Sequence, residues 1–135
     1  MTRRLTLWIL PGLPALMLRA QDASLVRGRV VGELKLRLAD GRLVGLSGDA
    51  ESEAVLRDKR LARDEFEVRG RFTAPDAFTI EPIYLRAIFV WRSGLKLAVT
   101  YWCDVCSIRA WTPGKCQCCQ DEMALDLRDP ALKET

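Results

Sequence analysis

Five cysteines crowded between residues 103 and 119 constrain this 135-residue chain more than any other feature. Four of them follow the pattern C-x2-C-x9-C-x2-C, namely Cys103, Cys106, Cys116 and Cys119. Each C-x2-C turn can fold around one ion, so two such turns supply four thiolates at the corners of a tetrahedron. Between the pairs, Thr112-Pro113-Gly114 is a turn able to bring them together. The spacing predicts one compact four-thiolate site, with structural zinc as its cofactor.

The fifth cysteine leaves the second ligand pair open. Cys118 lies between Cys116 and Cys119 and is an alternative ligand to either. Residues 101 to 125 resemble a zinc ribbon or related zinc knuckle, which implies a small lobe held by the metal. The segment departs from that pattern at Ser107 and Gln120, where a glycine often follows the second cysteine of a pair.

Two other interpretations of the cysteines remain open. In an oxidising compartment they can form disulfides, although five cysteines leave one thiol unpaired. A redox-active or exchangeable metal such as iron or copper is the other possibility. An iron site would resemble rubredoxin, but the chain lacks the glycines that usually follow that family's cysteine pairs. The chain also has no histidine, which excludes His-dependent catalytic triads, so we expect a protein that is not an enzyme.

The first 20 residues have the features of a secretory signal peptide. Arg3 and Arg4 precede an apolar run from Leu5 to Leu18, and Ala20 is a small residue at a plausible cleavage point. A membrane span needs about 20 apolar residues, so we expect no permanent membrane anchor. The predicted location is therefore periplasmic or extracellular.

Removal of that segment changes the charge balance. The chain has 21 Lys plus Arg and 18 Asp plus Glu, and residues 1 to 20 contain three arginines and no acid, which leaves 18 of each. A neutral, exported protein gives no general argument for nucleic-acid binding. A protein or a saccharide is the expected partner.

Period-two alternation from Leu25 to Leu85 predicts half-buried antiparallel strands, with Leu34, Leu36 and Leu38 on one face. Turns are predicted at Asp40-Gly41, at Ala74-Pro75-Asp76 and at Ser93-Gly94. One helix is expected after Asp49, whose side chain can cap it. Its apolar face comprises Ala54, Val55, Leu56 and Leu61.

The resulting order of three strands, a helix and two strands is that of an oligonucleotide/oligosaccharide-binding (OB) barrel. A short echo supports this fold: Val26-Arg27-Gly28-Arg29 recurs as Val68-Arg69-Gly70-Arg71. The two copies fall in the first and fourth strands, which are neighbours in such a barrel. Mid-strand glycines allow the sharp bends that a small barrel needs.

The remaining chain forms a β-hairpin that leads into the cysteines. It runs from Ile88 to Trp91 and returns from Leu95 to Trp102, and its apolar content suggests packing between barrel and cysteine lobe. Trp91, Trp102 and Trp111 are expected in the core. The tail from Leu125 to Thr135 is charged and contains Pro130, so its end is expected to fray.

The predicted organisation is mainly β: a signal peptide at residues 1–20, an OB-like barrel with one helix at 21–86, a hairpin and zinc-knuckle lobe at 87–129, and a tail at 130–135. This pattern resembles small exported bacterial proteins in which an OB-like barrel leads into a cysteine-rich metal knuckle. The resemblance implies an exported binding or assembly module without enzymatic activity. The alternative is a redox or metal-handling protein that uses the cysteines.

Overall fold

The computed structural model describes residues 23–131. The predicted signal peptide and the last four residues of the predicted tail lie outside this range. Across the described residues, two 3-10 turns and one short helix accompany a predominantly β structure, as predicted.

Five strands close into a barrel. They are β1 (Ser24–Val31), β2 (Lys35–Leu38), β3 (Leu43–Ser47), β4 (Glu65–Ala74) and β5 (Ala77–Ile80). The first three form an antiparallel meander, β3 runs parallel to β5, and β5 pairs antiparallel with β4. Pairing of β4 with β1 closes the barrel. The predicted strand order and the turns at residues 40–41 and 74–76 are confirmed.

The helix α1 (Ala50–Leu56) lies between β3 and β4 and begins where the sequence predicts. Asp49 caps it, because one carboxylate oxygen accepts the Ser52 N–H at 2.9 Å. The other oxygen accepts the Ile83 N–H at 3.0 Å and so joins the cap to the turn after β5. A 3-10 turn at Lys59–Leu61 follows, and another lies at Ile83–Leu85. Val55, Leu56 and Leu61 are buried in the core.

One residue of the predicted leucine strand lies elsewhere. Leu36 is fully buried in β2, whereas Leu34 precedes the strand with φ of +55°. The chain turns sharply here, since Gly32 also has a positive φ of 56°. Leu34 is buried nevertheless, and its carbonyl accepts the Leu46 N–H at 2.8 Å. The inward face of the barrel therefore includes a turn residue that period-two alternation assigns to a strand.

The strands that carry the two tetrapeptides pair with one another as predicted, and the tetrapeptides meet at one register position. Val26 lies directly opposite Val68, and both are buried. Gly28 pairs with β4 on one edge and β2 on the other, while Gly70 pairs with β1 and with β5. Each glycine thus has a paired strand on both of its sides.

Neither glycine position has room for a side chain. A Cβ atom on Gly28 would lie 2.2 Å from the Arg37 carbonyl oxygen, and one on Gly70 would lie 2.0 Å from the Thr79 carbonyl oxygen. Both obstacles are backbone atoms of a paired strand, so no rotamer change relieves the contact. Close backbone approach therefore requires glycine at both sites.

Four more strands extend the sheet beyond the barrel: β6 (Ile88–Arg92), β7 (Leu95–Cys103), β8 (Ile108–Ala110) and β9 (Ala124–Arg128). β6 pairs with the first half of β4, and β7 pairs with β6, β8 and β9. The predicted β6–β7 hairpin is confirmed, and its turn residues Ser93 and Gly94 have φ of 54° and 77°. The first part of the charged segment from Leu125 forms β9, and most of its end lies outside the described residues. Leu125 and Leu127 face the core and hold it there.

The expectation that three tryptophans lie in the core is wrong. All three are half-buried on the outside, each with a guanidinium over its ring: Arg27 on Trp91 at 3.9 Å, Arg109 on Trp102 at 4.8 Å and Arg86 on Trp111 at 4.2 Å. In β6 the alternation that turns Val90 inward turns Trp91 outward. There its indole N–H donates to Glu67 at 3.0 Å. Burial would raise the pKa of Glu67, but hydrogen bonds from Lys96 and Trp91 outweigh it and lower the pKa.

We predict that Gly28→Ala and Gly70→Ala each lower the free energy of unfolding by about 2 kcal/mol or more, because the new methyl group overlaps backbone of the paired strand. Gly45→Ala is the matched control, since its Cβ would meet only the Asp76 carbonyl oxygen at an ordinary 3.6 Å. Equilibrium denaturation of the three metal-loaded variants measures the difference. Equal stability of all three would contradict the close-approach explanation.

Candidate metal centre

The first cysteine pair occupies the tight turn between β7 and β8. Cys103 is the last residue of β7 and pairs with Ile108, so the chain reverses within four residues. The Cys106 N–H donates to the Cys103 sulfur at 3.4 Å. Ser107, which follows the second cysteine, has φ of 54°. This left-handed residue turns the chain back into β8.

The second cysteine pair forms a turn of the same kind. The Cys116 N–H donates to the Asp121 carbonyl at 2.8 Å, and the Gln120 N–H donates to the Cys116 carbonyl at 2.9 Å. The Cys116 sulfur accepts the Cys118 N–H at 3.4 Å. Gln120 has φ of 68°. In both turns the first sulfur accepts a backbone N–H, and a left-handed residue follows the second cysteine.

This geometry explains why the zinc-knuckle pattern favours glycine at the positions of Ser107 and Gln120. Glycine adopts positive φ without steric cost, whereas Ser and Gln do so only with strain. Both turns therefore have a left-handed residue after the second cysteine, although neither uses glycine there.

The two turns bring four sulfurs together. The Sγ atoms of Cys103, Cys106, Cys116 and Cys119 all lie within 4.8 Å of one another. A tetrahedral ion with metal–sulfur bonds of about 2.3 Å has sulfurs about 3.8 Å apart, so the cluster needs only a small contraction to hold a metal ion. Cys103 and Cys116 are buried, and Cys106 and Cys119 are half-buried. These four residues can hold a metal, and their soft thiolates suit zinc, iron or copper(I).

Cys118 lies outside this group. It is exposed, and its backbone N–H, rather than its thiol, supports the Cys116 sulfur. The neighbouring Cys118 thiol raises the pKa of Cys106. A role for Cys118 as an alternative ligand remains a prediction.

Backbone N–H donors lower the pKa of one cysteine in the cluster, and a neighbouring thiol raises the pKa of another. Hydrogen bonds from the backbone N–H groups of Cys119 and Cys118 lower the pKa of Cys116 to about 7. The hydrogen bond with Cys118, together with desolvation, raises the pKa of Cys106. The pKa of Cys116 thus lies near neutral pH, below that of an ordinary thiol. A metal must displace protons from thiols such as Cys106, so metal binding weakens as the pH falls.

A buried polar network joins the cysteine lobe to the barrel. Tyr101, two residues before the first cysteine, is fully buried, and its hydroxyl donates to Asp58 at 2.7 Å. Arg60 forms an ion pair with Asp58 at 2.9 Å and donates to the Met123 carbonyl at 3.1 Å. Met123 lies between the second cysteine turn and β9. The 3-10 turn of the barrel is therefore bonded to both sides of the lobe.

The same contacts shift the pKa values of Tyr101 and Asp58. Desolvation and the bond to Asp58 raise the pKa of Tyr101. Desolvation would also raise the pKa of Asp58, but hydrogen bonds from Arg60 and Tyr101 outweigh it and lower the pKa. Sequence reasoning missed this network. Asp58 and Tyr101 are 43 positions apart in the chain, so no local pattern connects them. The local signal is the Asp58-x-Arg60 spacing, which is typical of an aspartate that caps a turn and pairs with an arginine.

Comparison with known proteins found no family model, no curated protein and no solved structure that matches this chain. Within residues 23–131, no helix is long and apolar enough to cross a lipid bilayer. The closed barrel and the four-cysteine cluster are therefore the observations from which function must be argued.

We predict that Ser107→Gly and Gln120→Gly each raise the free energy of unfolding of the metal-loaded protein by about 0.5 to 1 kcal/mol, because glycine relieves the left-handed strain. Ser47→Gly in β3 is the control and should destabilise, since Ser47 lies in an ordinary strand. Chemical denaturation distinguishes the two classes. Destabilisation by all three substitutions would show that the turns carry no strain.

A second prediction concerns the network between lobe and barrel. Tyr101→Phe removes the donor to Asp58 and should lower the free energy of unfolding by about 1 to 2 kcal/mol. Tyr84→Phe is the control, because Tyr84 is 74% exposed and its change should be close to neutral. Urea denaturation at constant metal content provides the comparison. Equal effects would show that the buried hydroxyl contributes nothing to the stability of the fold.

Proposed function

We propose that this chain is a non-enzymatic binding or assembly module in which one structural zinc ion holds the C-terminal lobe. The observation that carries the proposal is the group of four sulfurs within 4.8 Å, supplied by two tight turns that each have a left-handed residue after the second cysteine. Structural zinc sites are closed and tetrahedral, and a set of four cysteine thiolates is one of their usual ligand sets. Cys103, Cys106, Cys116 and Cys119 are the proposed ligands.

The ligand set supports scaffolding over catalysis. Catalytic zinc keeps a coordination position for water or substrate and commonly uses histidine, and this chain has none. Four thiolates fill the tetrahedron by themselves. The bound ion would fix the β7–β8 turn relative to the segment that leads into β9. It would thereby stabilise the outer part of a sheet that starts at the barrel.

Export is part of the proposal and rests on the first 20 residues. Their basic start, short apolar run and small residue at position 20 fit a cleaved signal peptide. In the periplasm or outside the cell, a saccharide or another protein is the expected partner, and nucleic acid is disfavoured. In this proposal the barrel binds the partner, and the C-terminal lobe with its metal stabilises the barrel.

The exposed Cys118 favours a second candidate function, redox chemistry or metal handling. Its exposed thiol lies in the same turn as two of the proposed ligands, where it can replace one of them or, with an external oxidant that accepts two electrons, form a disulfide with a neighbouring cysteine. In this alternative the metal is iron or an exchangeable ion, or the cysteines carry disulfides. The two functions differ in what the thiols do once a metal is bound.

Metal analysis with thiol counting tests the proposal. The purified full chain should contain about one zinc per chain, show no visible absorption, and release five titratable thiols on denaturation with a chelator. Cys103→Ser should lose the metal and loosen the C-terminal lobe, measured as faster amide exchange in β8 and β9. Cys118→Ser is the matched control and should keep both.

The alternatives give different results in the same assays. Absence of metal together with fewer than two free thiols would establish disulfides and reject zinc. Visible absorption with stoichiometric iron would favour electron transfer. Loss of metal in Cys118→Ser would place that residue among the ligands.

A further inference from the structure

Two strands of the sheet have a neighbour on one side only. Within residues 23–131, every other strand pairs with at least two neighbours, whereas β8 and β9 pair with β7 alone. β8 has three residues, and β9 is the longer of the two with five. An unpaired strand edge presents backbone N–H and carbonyl groups on which another strand can pair. We call the unpaired side of β9 its open edge.

The register of the sheet determines which backbone groups lie at the open edge. The two-residue turn between β6 and β7 makes Leu95 a residue that hydrogen-bonds to β6. Backbone groups alternate in direction along a strand, so Thr100, five residues further on, directs its N–H and carbonyl to β9. Its partner there is Asp126, whose carbonyl also accepts the Thr100 hydroxyl. Leu125 and Leu127, on either side of Asp126, therefore direct their backbone groups to the open edge.

The side chains of β9 are complementary to a second copy of the same strand. Two antiparallel copies centred on Leu127 place Asp126 of each copy opposite Arg128 of the other, and the two-fold symmetry repeats the pair. Opposite charges directly across an antiparallel pair stabilise it. Arg128 is free to make this contact, because its own contact with Asp126 is long at 3.6 Å, whereas Arg109 binds the same carboxylate at 2.8 Å. The side chains of Asp126 and Arg128 are 34% and 48% exposed.

The same charges disfavour the neighbouring registers. A pair of strands centred on Asp126 places two carboxylates opposite each other, and one centred on Arg128 places two guanidinium groups opposite each other. Like charges in these positions destabilise a strand pair. The register centred on Leu127 also places the outward N–H and carbonyl of that residue opposite the same groups of the second copy, so the two residues can exchange two hydrogen bonds.

The apolar side of β9 supports the same pairing. Leu125 and Leu127 pack against the core, yet both are only half-buried, because they lie at the margin of the sheet. In the register centred on Leu127, this residue lies beside its own copy, with Leu125 on the diagonal. Removal of the remaining apolar surface from water is favourable.

We propose that β9 pairs antiparallel with β9 of a second copy, so that two chains form a symmetric dimer with one continuous sheet. The inference goes beyond the proposed zinc-braced module, because it names a second copy of this chain as a partner. A second copy fits better than an unrelated strand, since Asp126 and Arg128 together supply both members of each charge pair.

Amide hydrogen exchange of the full, metal-loaded chain tests which edge of β9 is occupied. The Leu127 N–H should be protected in the dimer, and dilution into the monomer should speed its exchange about tenfold or more. The Asp126 N–H is the internal control, because it faces β7 and should stay protected at both concentrations. Fast exchange of the Leu127 N–H at every concentration would overturn the proposal. Its protection in a chain that sediments as a monomer would overturn it too, since the partner would then lie within the chain.

A charge reversal tests the contact by sedimentation velocity. Arg128→Asp places like charges opposite each other at both symmetric positions and should weaken the dimer about tenfold or more. Lys35→Asp is the matched control, because it makes the same charge change at an exposed strand position on β2. It should change the dissociation constant by less than about threefold, as expected for a weak long-range charge effect. A monomeric unaltered chain, or equal weakening in both variants, would overturn the proposal.

A mixture of two variants tests the register. Asp126→Arg and Arg128→Asp each place like charges opposite each other in their own dimers, whereas a mixed dimer has opposite charges at both positions. The mixture should therefore associate about tenfold or more tightly than either variant alone. No gain on mixing two folded variants would overturn the register. Asp126→Arg also loses its bond to Arg109, and if it fails to fold, Arg128→Asp and its control still decide the proposal.

Zinc analysis of the same samples separates this inference from the proposed function. A chain with one zinc that sediments as a monomer rejects the dimer and leaves the zinc-braced module standing. A metal-free dimer that depends on Arg128 rejects the zinc and supports the pairing of β9.

Discussion

The pairing of β4 with strands on both of its edges is the constraint on which the rest of the structure depends. One edge closes the barrel against β1, and the other carries β5 and then β6 in succession. The barrel and the cysteine lobe are therefore parts of one sheet, because β6 pairs directly with the barrel strand β4. Gly70, at the point where the second edge begins its pairing with β5, permits the close backbone approach that this arrangement requires.

The cysteine cluster lies at the far end of the sheet that grows from β4, and its position follows from that sheet. β7 ends at Cys103, so the first knuckle is simply the turn from β7 to β8. The second knuckle is held by its own backbone bonds, and β9 returns beside β7 after it. Tyr101, Asp58 and Arg60 then bond this region to the barrel. A metal bound by the four cysteines would join the two turns directly.

Features with a local physical signature could be predicted from the sequence. Asp49 is recognisable as a helix cap and the cysteine spacing as a metal site, because each depends on residues close together in the chain. The echo around Gly28 and Gly70 predicts a long-range strand pair correctly, since the same bend is needed on both sides of the barrel closure. Leu125 and Leu127 carry the alternation of β9, but the charged residues around them obscure it.

The failures share one physical cause, which is that burial depends on what packs against a residue. Trp91 and Trp102 are large aromatic residues of the kind expected in a core. Strand alternation nevertheless places them outside, where arginines cover their rings. Leu34 is buried although it lies in a turn. The Asp58–Tyr101 bond joins elements that no local pattern connects. Such contacts become visible only once the strand register is known.

The strand register also shows which charged residues are neighbours, and the composition alone does not. By count the chain is close to neutral, but acids and cations are not spread evenly over its strands. Glu65 and Glu67 on β4 neutralise Arg27 and Lys96, so the sheet beside the lobe is electrostatically complete. On β1 and β2, Arg29 and Arg37 lie opposite one another with no acid between them. That opposed pair lowers the stability of the sheet slightly, because like charges directly opposite one another in an antiparallel pair repel.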